Sequence, residues 1–192
     1  MKIYDLSKEI MGTKPYEGDP LPVISKLATL KKDGYNLSSI SMCLHSATHV
    51  DAPLHFIDKG SDVASLPLDS FVGECVVMTV PNRPLDAMFF MRYPKCERLL
   101  LKGQGELTES GIGYLYNSGV KLIGTDRESI GSPSDECSVH TAILGYKIAV
   151  IENLDLSKVP DGRYTLIAAP LKIKGAEAAP CRALLLDDEK ND

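Results

Sequence analysis

The chain has 192 residues and a formal net charge of −5, with 44% hydrophobic and 24% charged residues. This composition is typical of one soluble globular domain with a buried core, so residues 1–192 are expected to form a single domain. The acidic balance provides no broad basic surface for a polyanion, and nucleic-acid binding is not expected.

Neither a targeting segment nor a membrane span is indicated. The first nine residues alternate polar and apolar side chains like a strand, without the apolar core of a signal peptide. No apolar run is long enough to cross a bilayer. Five scattered cysteines without a Cys-x-x-Cys pair suggest neither a disulfide framework nor a thiolate zinc site. A cytoplasmic location without membrane attachment is therefore expected.

In chain order, the residue patterns predict strands interspersed with two helices. The strands are predicted over residues 3–6, 36–44, 72–80, 120–124, 147–151, 166–173 and 183–186, with a loop over 15–20. One helix is predicted over 108–119, and a second begins near 132–134 and ends at 145. Strands and helices alternate through the second half, which indicates a mixed α/β class.

Three of the four histidines fall within one short segment. An extended chain places His45, His49, Asp51 and His55 on the same face, whereas a helix would turn Asp51 away. A straight strand would separate His45 from His55 by roughly 30 Å, so the chain must fold back. Pro53 favours this turn directly after Asp51.

Imidazole and carboxylate groups are ligands that borderline divalent metals such as zinc accept. His45, His49 and Asp51 are therefore candidate ligands of a hydrolytic metal site. The alternative is that they are polar residues at a strand end, paired with hydroxyl and amide groups.

The remaining histidine, His140, lies on the second predicted helix, and Glu152 ends an apolar strand where α/β folds place functional side chains. Together with the histidine segment they leave room for a second metal ion. The alternative is an ordinary helix histidine and a solvated strand end.

The segment from His45 to His55 resembles the HxGTHxDxPxH signature of the cyclase family of metal-dependent hydrolases, which includes bacterial kynurenine formamidases and isatin hydrolases. Later parts of the chain are also similar to family blocks. They are residues 55–60, 66–68, 123–126, 150–154 and 170–183.

The resemblance implies two divalent metal ions, usually zinc, with manganese also acceptable. It implies that His45, His49 and Asp51 bind the first ion, that His140 binds the second, and that Asp51 and Glu152 bridge them. By the same match, His55 donates and accepts protons. The family fold is a compact α/β domain with a mixed sheet, the swivelling β/β/α fold, assembled into homodimers or homotetramers.

The chain departs from the family pattern at three places. Ala47 replaces the signature glycine, Tyr16 replaces a tryptophan that lines the substrate pocket, and the segment 101–107 is short. We expect Tyr16 to stack on an aromatic substrate.

The expected activity is hydrolysis of a small amide by metal-activated water, with His55 as acid and base. An arylformamide such as N-formylkynurenine, from tryptophan catabolism, is the first candidate substrate. The alternatives are a cyclic amide, as for isatin hydrolase, or a family member that binds metal or ligand without catalysis.

Overall fold

A nine-stranded mixed sheet organises this computed structural model, which describes residues 1–187. The last five residues of the predicted domain, 188–192, lie outside the described residues. The strands are β1 (Lys2–Asp5), β2 (Val23–Ala28), β3 (Leu37–Ser41), β4 (His49–Asp51), β5 (Val72–Thr79), β6 (Pro84–Leu85), β7 (Arg98–Lys102), β8 (Glu106–Leu107), β9 (Leu122–Thr125), β10 (Ala149–Glu152), β11 (Gly162–Ile167), β12 (Ala178–Pro180) and β13 (Leu184–Asp187). The order in the main sheet is β1-β13-β11-β5-β7-β9-β10-β4-β12.

Strands β5, β7, β9 and β10 run parallel in the middle of the sheet, and the strands on both sides of them are antiparallel. The helices are α1 (Leu30–Asp33), α2 (Ala87–Phe90), α3 (Glu109–Asn117) and α4 (Glu136–Gly145). The last two precede β9 and β10 and so provide the crossovers that parallel strands require. In the described part of the chain the longest helix has ten residues, and none is long and apolar enough to cross a membrane.

Apolar side chains form a core on each face of the sheet because successive strand residues point to opposite faces. Along β10, Ile151 belongs to one core and Val150 to the other. Leu185 of β13 and Val50 of β4 come from strands near opposite edges of the sheet, yet both belong to the first core. The sheet therefore curls around this core. Ile112 of α3 and Ile143 of α4 pack into the second core. The described residues thus form one α/β domain with a mixed sheet, as predicted.

Three predicted elements differ in their limits. The strand predicted over 36–44 is observed as β3, which already ends at Ser41. The strand predicted over 166–173 is wrong beyond Ile167, where β11 ends, and Pro170 makes only an isolated bridge with Cys181. The proline has no N–H to donate to a strand partner. The second helix begins at Glu136, later than predicted. The Asp135 carboxylate accepts from the Ser132 amide at 2.6 Å and closes a turn before it.

The histidine segment contains only a three-residue strand, β4, with a turn on each side. The predicted turn after Asp51 is confirmed, since residues Pro53–His55 form one turn of 3-10 helix. The extended run predicted from His45 is wrong, because the Ser46 amide donates to the Cys43 carbonyl and closes a turn before the strand. Both turns fold the ends of the segment back toward β4.

Candidate metal centre

The neighbours of β4 determine which side chains meet at the site. β4 lies between β10 and β12, and His49 is directly opposite Glu152 in the antiparallel register with β10. Asp51 faces Ala178 of β12 in the same way. The centre therefore lies at the carboxyl end of β10, where open α/β sheets form clefts.

Six predicted residues converge there as two overlapping triads plus His55. The first triad is His45, His49 and Asp51, and the second is Asp51, His140 and Glu152. Within each triad the candidate ligand atoms lie within 4.8 Å of one another. Asp51 belongs to both triads. Each triad is a group that could hold a metal ion.

The distances connect the two triads through both carboxylates. Asp51 Oδ1 lies 3.1 Å from His45 Nδ1 and 3.3 Å from His49 Nε2, while its Oδ2 lies 3.8 Å from His140 Nε2. Glu152 Oε1 lies 3.1 Å from His140 Nε2, and its Oε2 lies 3.5 Å from His49 Nε2. Each carboxylate thus presents one oxygen to each half of the site.

Backbone groups orient the two most buried imidazoles. The Nδ1 of His49 lies 2.9 Å from the Ala47 carbonyl oxygen, and the Nδ1 of His140 lies 2.8 Å from that of Glu136. When Nδ1–H donates to these carbonyls, Nε2 faces the centre, and in the neutral imidazole it is the unprotonated nitrogen that a metal ligand requires. The Ile130 amide donates to Glu152 Oε1 at 2.7 Å and holds that carboxylate in place.

The centre contains buried polar atoms that no protein group satisfies. His49 Nε2 and both carboxylate oxygens of Asp51 are buried and have no hydrogen-bond partner of acceptable geometry. Such an atom destabilises a fold by about 1–3 kcal/mol. Because imidazole nitrogen and carboxylate oxygen are also the donors that divalent cations such as zinc accept, the residues fit a metal.

The charges of the centre favour added positive charge. Burial alone would lower the pKa of His49, but the Asp51 and Glu152 carboxylates outweigh it and hold that pKa well above its ordinary value. The pKa of His140 is raised in the same way despite burial, mainly by Glu152. In return, the imidazoles hold the pKa values of both buried carboxyls below their ordinary range. The centre therefore attracts protons or a cation.

His55 lies beside both triads without belonging to either. Its ring centroid is 4.2 Å from that of His45 and 5.8 Å from that of His140. Burial lowers its pKa, so the imidazole is neutral near pH 7 and can accept a proton.

His55 lines a cavity of about 250 Å³. The other lining residues are Tyr16, Asp19, His45, His49, Phe56, Glu128, Glu136, His140, Glu152 and Asn153. Tyr16 is 41% exposed and donates its hydroxyl to Glu136 Oε2 at 3.1 Å. Tyr16, in the loop predicted over residues 15–20, thus lies at the cavity, where it can contact a bound molecule.

Three residues that contact predicted site residues were not themselves predicted as part of the site. Glu177 Oε1 lies 3.6 Å from His45 Nε2, the Phe56 ring stacks on His140 at 4.6 Å, and Glu136 contacts both Tyr16 and His140. Phe56 follows His55 directly, and Glu136 precedes His140 by one helical turn, which are signals the sequence contained. Glu177 has none, because only the pairing of β12 with β4 brings it close.

Comparison with known proteins agrees with this geometry. The model of the putative cyclase family matches residues 4–90, which include the histidine segment. A kynurenine formamidase from Salinibacter ruber is 35% identical over 208 residues, covering 97% of this chain and 98% of the relative. A solved structure described as a potential metal-dependent hydrolase with cyclase activity is 28% identical, with a TM-score of 0.81 and 96% of each chain covered.

Isatin hydrolase A from Labrenzia aggregata has the same fold, with a TM-score of 0.82 at 21% identity over 96% of this chain and 93% of that one. The family match, the full-length relative and the paired triads agree with one another. The chain therefore belongs to the cyclase family and is a metal-dependent hydrolase.

Proposed function

We propose that the chain hydrolyses a small arylformamide, with N-formylkynurenine as the first candidate. The observation that carries this proposal is the pair of triads sharing Asp51 at a cavity that His55 also lines. The kinship with kynurenine formamidases supports the choice of an arylformamide. The cavity volume of about 250 Å³ lies just below the usual range for ligand pockets and favours a small substrate.

The first triad would hold one divalent cation and the second triad another, with Asp51 and Glu152 shared between them. Such a pair, when bound, supplies an acidified water and polarises the carbonyl to be attacked. Zinc is the proposed ion, with manganese as the alternative, because nitrogen and oxygen donors accept both.

His55 is the proposed acid and base. Its neutral imidazole at the cavity can accept a proton from the attacking water and return it to the departing arylamine nitrogen. Tyr16 and Phe56 border the same cavity with aromatic rings that can contact the aryl group. An arylamine also leaves more readily than an alkylamine, which suits a single acid–base residue.

We also propose that the protein acts in the cytoplasm, in tryptophan catabolism, as a homodimer or homotetramer. The pathway and the oligomeric state rest on the family resemblance. The location rests on the five scattered cysteines, which suggest no disulfide framework.

A substrate panel tests the proposed activity. Metal-loaded protein is assayed with N-formylkynurenine, formanilides and isatin, and chelator-treated protein is the control. Turnover of the formamides, lost on chelation and restored by metal, is the expected result. Turnover of isatin alone would contradict the formamidase assignment, and no turnover with any amide would favour a non-catalytic role.

A further inference from the structure

Asn153 directly follows Glu152 at the end of β10, and both residues line the cavity of the metal centre. Successive residues of a strand point to opposite faces, so two neighbours share one cavity only where the backbone changes direction. Asn153 provides this change with a φ of 58°, in the left-handed region that asparagine enters more readily than most residues. Asn153 therefore lies at the cavity beside a candidate metal ligand.

Two hydrogen bonds hold the Asn153 backbone in this conformation. Its amide donates to the Arg127 carbonyl at 2.9 Å, and its carbonyl accepts from the Thr48 hydroxyl at 2.6 Å. Thr48 is buried and directly precedes His49, so the histidine segment is tied to Asn153. A backbone conformation that costs free energy and is held from two sides is typical of residues at functional sites.

The Asn153 side chain is oriented by Lys8, whose ammonium donates to Asn153 Oδ1 at 3.1 Å. Because an ammonium can only donate, the amide oxygen faces Lys8 and Nδ2 is directed away from it. Nδ2 has no hydrogen-bond partner among residues 1–187, yet it is not fully buried. Since Asn153 is only 8% exposed and lines the cavity, Nδ2 is a free donor at the cavity wall. The cation on Oδ1 also polarises the amide and strengthens this donor.

Asn153 supplies the cavity with a neutral donor for a substrate oxygen. Of the cavity residues outside the two triads, Asp19, Glu128 and Glu136 accept hydrogen bonds when they are ionised. The Tyr16 hydroxyl already donates to Glu136. Hydrolysis of an amide places negative charge on the carbonyl oxygen, and an N–H that is oriented in advance stabilises that charge. The Asn153 amide has the chemistry that this step needs.

We propose that Asn153 is a catalytic residue whose Nδ2–H donates to the amide oxygen of the substrate as that oxygen becomes negative. This inference rests on the proposed amide hydrolysis and adds a residue to it. A purely structural role would need only the backbone conformation, which glycine also adopts. Removal of the side chain therefore distinguishes the two roles.

The first test compares Asn153→Gly with the native chain, both loaded with zinc and assayed with N-formylkynurenine. The variant should retain the native metal content and KM, whereas kcat should fall by about 10²- to 10³-fold. Lys147→Gly is the matched control, because Lys147 is exposed, has the same φ of 58° and lies outside the cavity lining. It should keep the native kcat. A native kcat in Asn153→Gly would overturn the proposal, and loss of metal from that variant would assign Asn153 a structural role instead.

A binding measurement tests the donor independently of turnover. Formate, the acid that formamide hydrolysis releases, is titrated into isotope-labelled, zinc-loaded protein, and the side-chain amide signals are followed by NMR. The Asn153 signal, identified by its loss in Asn153→Gly, should move to lower field. The Asn36 signal should not move, since Asn36 lies outside the cavity lining and its Oδ1 accepts from the Leu30 amide. An unmoved Asn153 signal would overturn the proposal. If the native chain cleaves no amide but the Asn153 signal moves, the proposed function fails while the donor is supported.

Discussion

Ala47 shows how one backbone conformation orients a candidate metal ligand, His49. Its φ of 56° lies in the left-handed region, which an alanine adopts at a cost of about 1 kcal/mol. This conformation brings its carbonyl to His49 Nδ1. The family signature has glycine at this position, and glycine adopts a positive φ without that cost. The replacement of the signature glycine by Ala47 thus introduces local backbone strain, while the orientation of His49 is maintained.

The Ala47→Gly variant should be as stable as the native chain or up to about 1 kcal/mol more stable, because relief of strain opposes the greater freedom of the unfolded chain. Ala52→Gly is the control, since Ala52 is equally buried but has an ordinary φ of −105°. It should lose about 1 kcal/mol or more. Urea unfolding measures the free energy of unfolding of both variants. Equal losses of this free energy in the two variants would contradict the assignment of strain to Ala47.

His55→Ala should abolish most turnover while leaving the bound metal in place. Loss of a general acid and base lowers the rate by about 10²- to 10⁴-fold. His49→Ala is the contrasting variant, since it should lose metal as well as turnover. Formamide hydrolysis and elemental analysis of the same samples separate the two effects. Unchanged turnover in His55→Ala would remove the proposed role of that residue.

Individual site residues were predictable where residue type and spacing carried the information. His45, His49, Asp51 and His55 share one segment whose chemistry is visible without a fold. Glu177 was not predictable, because its approach to His45 depends on the pairing of β12 with β4, a contact between distant parts of the chain.

At the scale of elements, helix α3 shows how closely the second core is packed. A Cβ added to Gly111 would lie 2.2 Å from the backbone oxygen of Leu85, so the helix can approach β6 only with glycine there. A Cβ on Gly113, on the same helix, would meet nothing within 4 Å. One glycine is thus required by packing and the other is not.

Gly111→Ala should therefore destabilise the fold by about 2–3 kcal/mol, because the contact is with backbone and cannot be relieved by a rotamer change. Gly113→Ala should stabilise it by about 1 kcal/mol through helix propensity. Thermal unfolding of the two variants measures the difference. If both changes have the same sign, the packing of α3 on β6 is not as described.

The limits of β5 and α3 were predicted to within two residues. The predictions that differ depend on other parts of the chain. β11 ends before Pro170 because its partners β5 and β13 end there, and β4 is short because turns close on both sides of it. The α/β class followed from the sequence, whereas the strand order depended on pairings that a single sequence does not reveal.

Across the whole molecule, the two buried carboxylates make the centre a site where protons and metal compete. With no cation bound, the Asp51 and Glu152 carboxylates raise the pKa values of His49 and His140 and so favour the protonated form of each imidazole. Metal binding needs neutral imidazoles, so it must release protons, and the metal affinity must rise with pH.

Calorimetric titration of metal-free protein with zinc at pH 7 should therefore give different heats in two buffers of different ionisation enthalpy, with at least about one proton released per chain. The native chain with metal already bound is the control and should show no such difference. Equal heats in both buffers would contradict the raised pKa values of the two histidines.

The measurement that tests the central claim most directly is the metal content of protein purified without chelator and reconstituted with zinc. The two triads predict close to two equivalents per chain, with most of them lost in His49→Ala. Tyr16→Phe removes only the hydroxyl bound to Glu136 and should retain both equivalents. A chain that binds no divalent cation, even after reconstitution, would contradict the assignment of this centre as a metal-dependent hydrolase site.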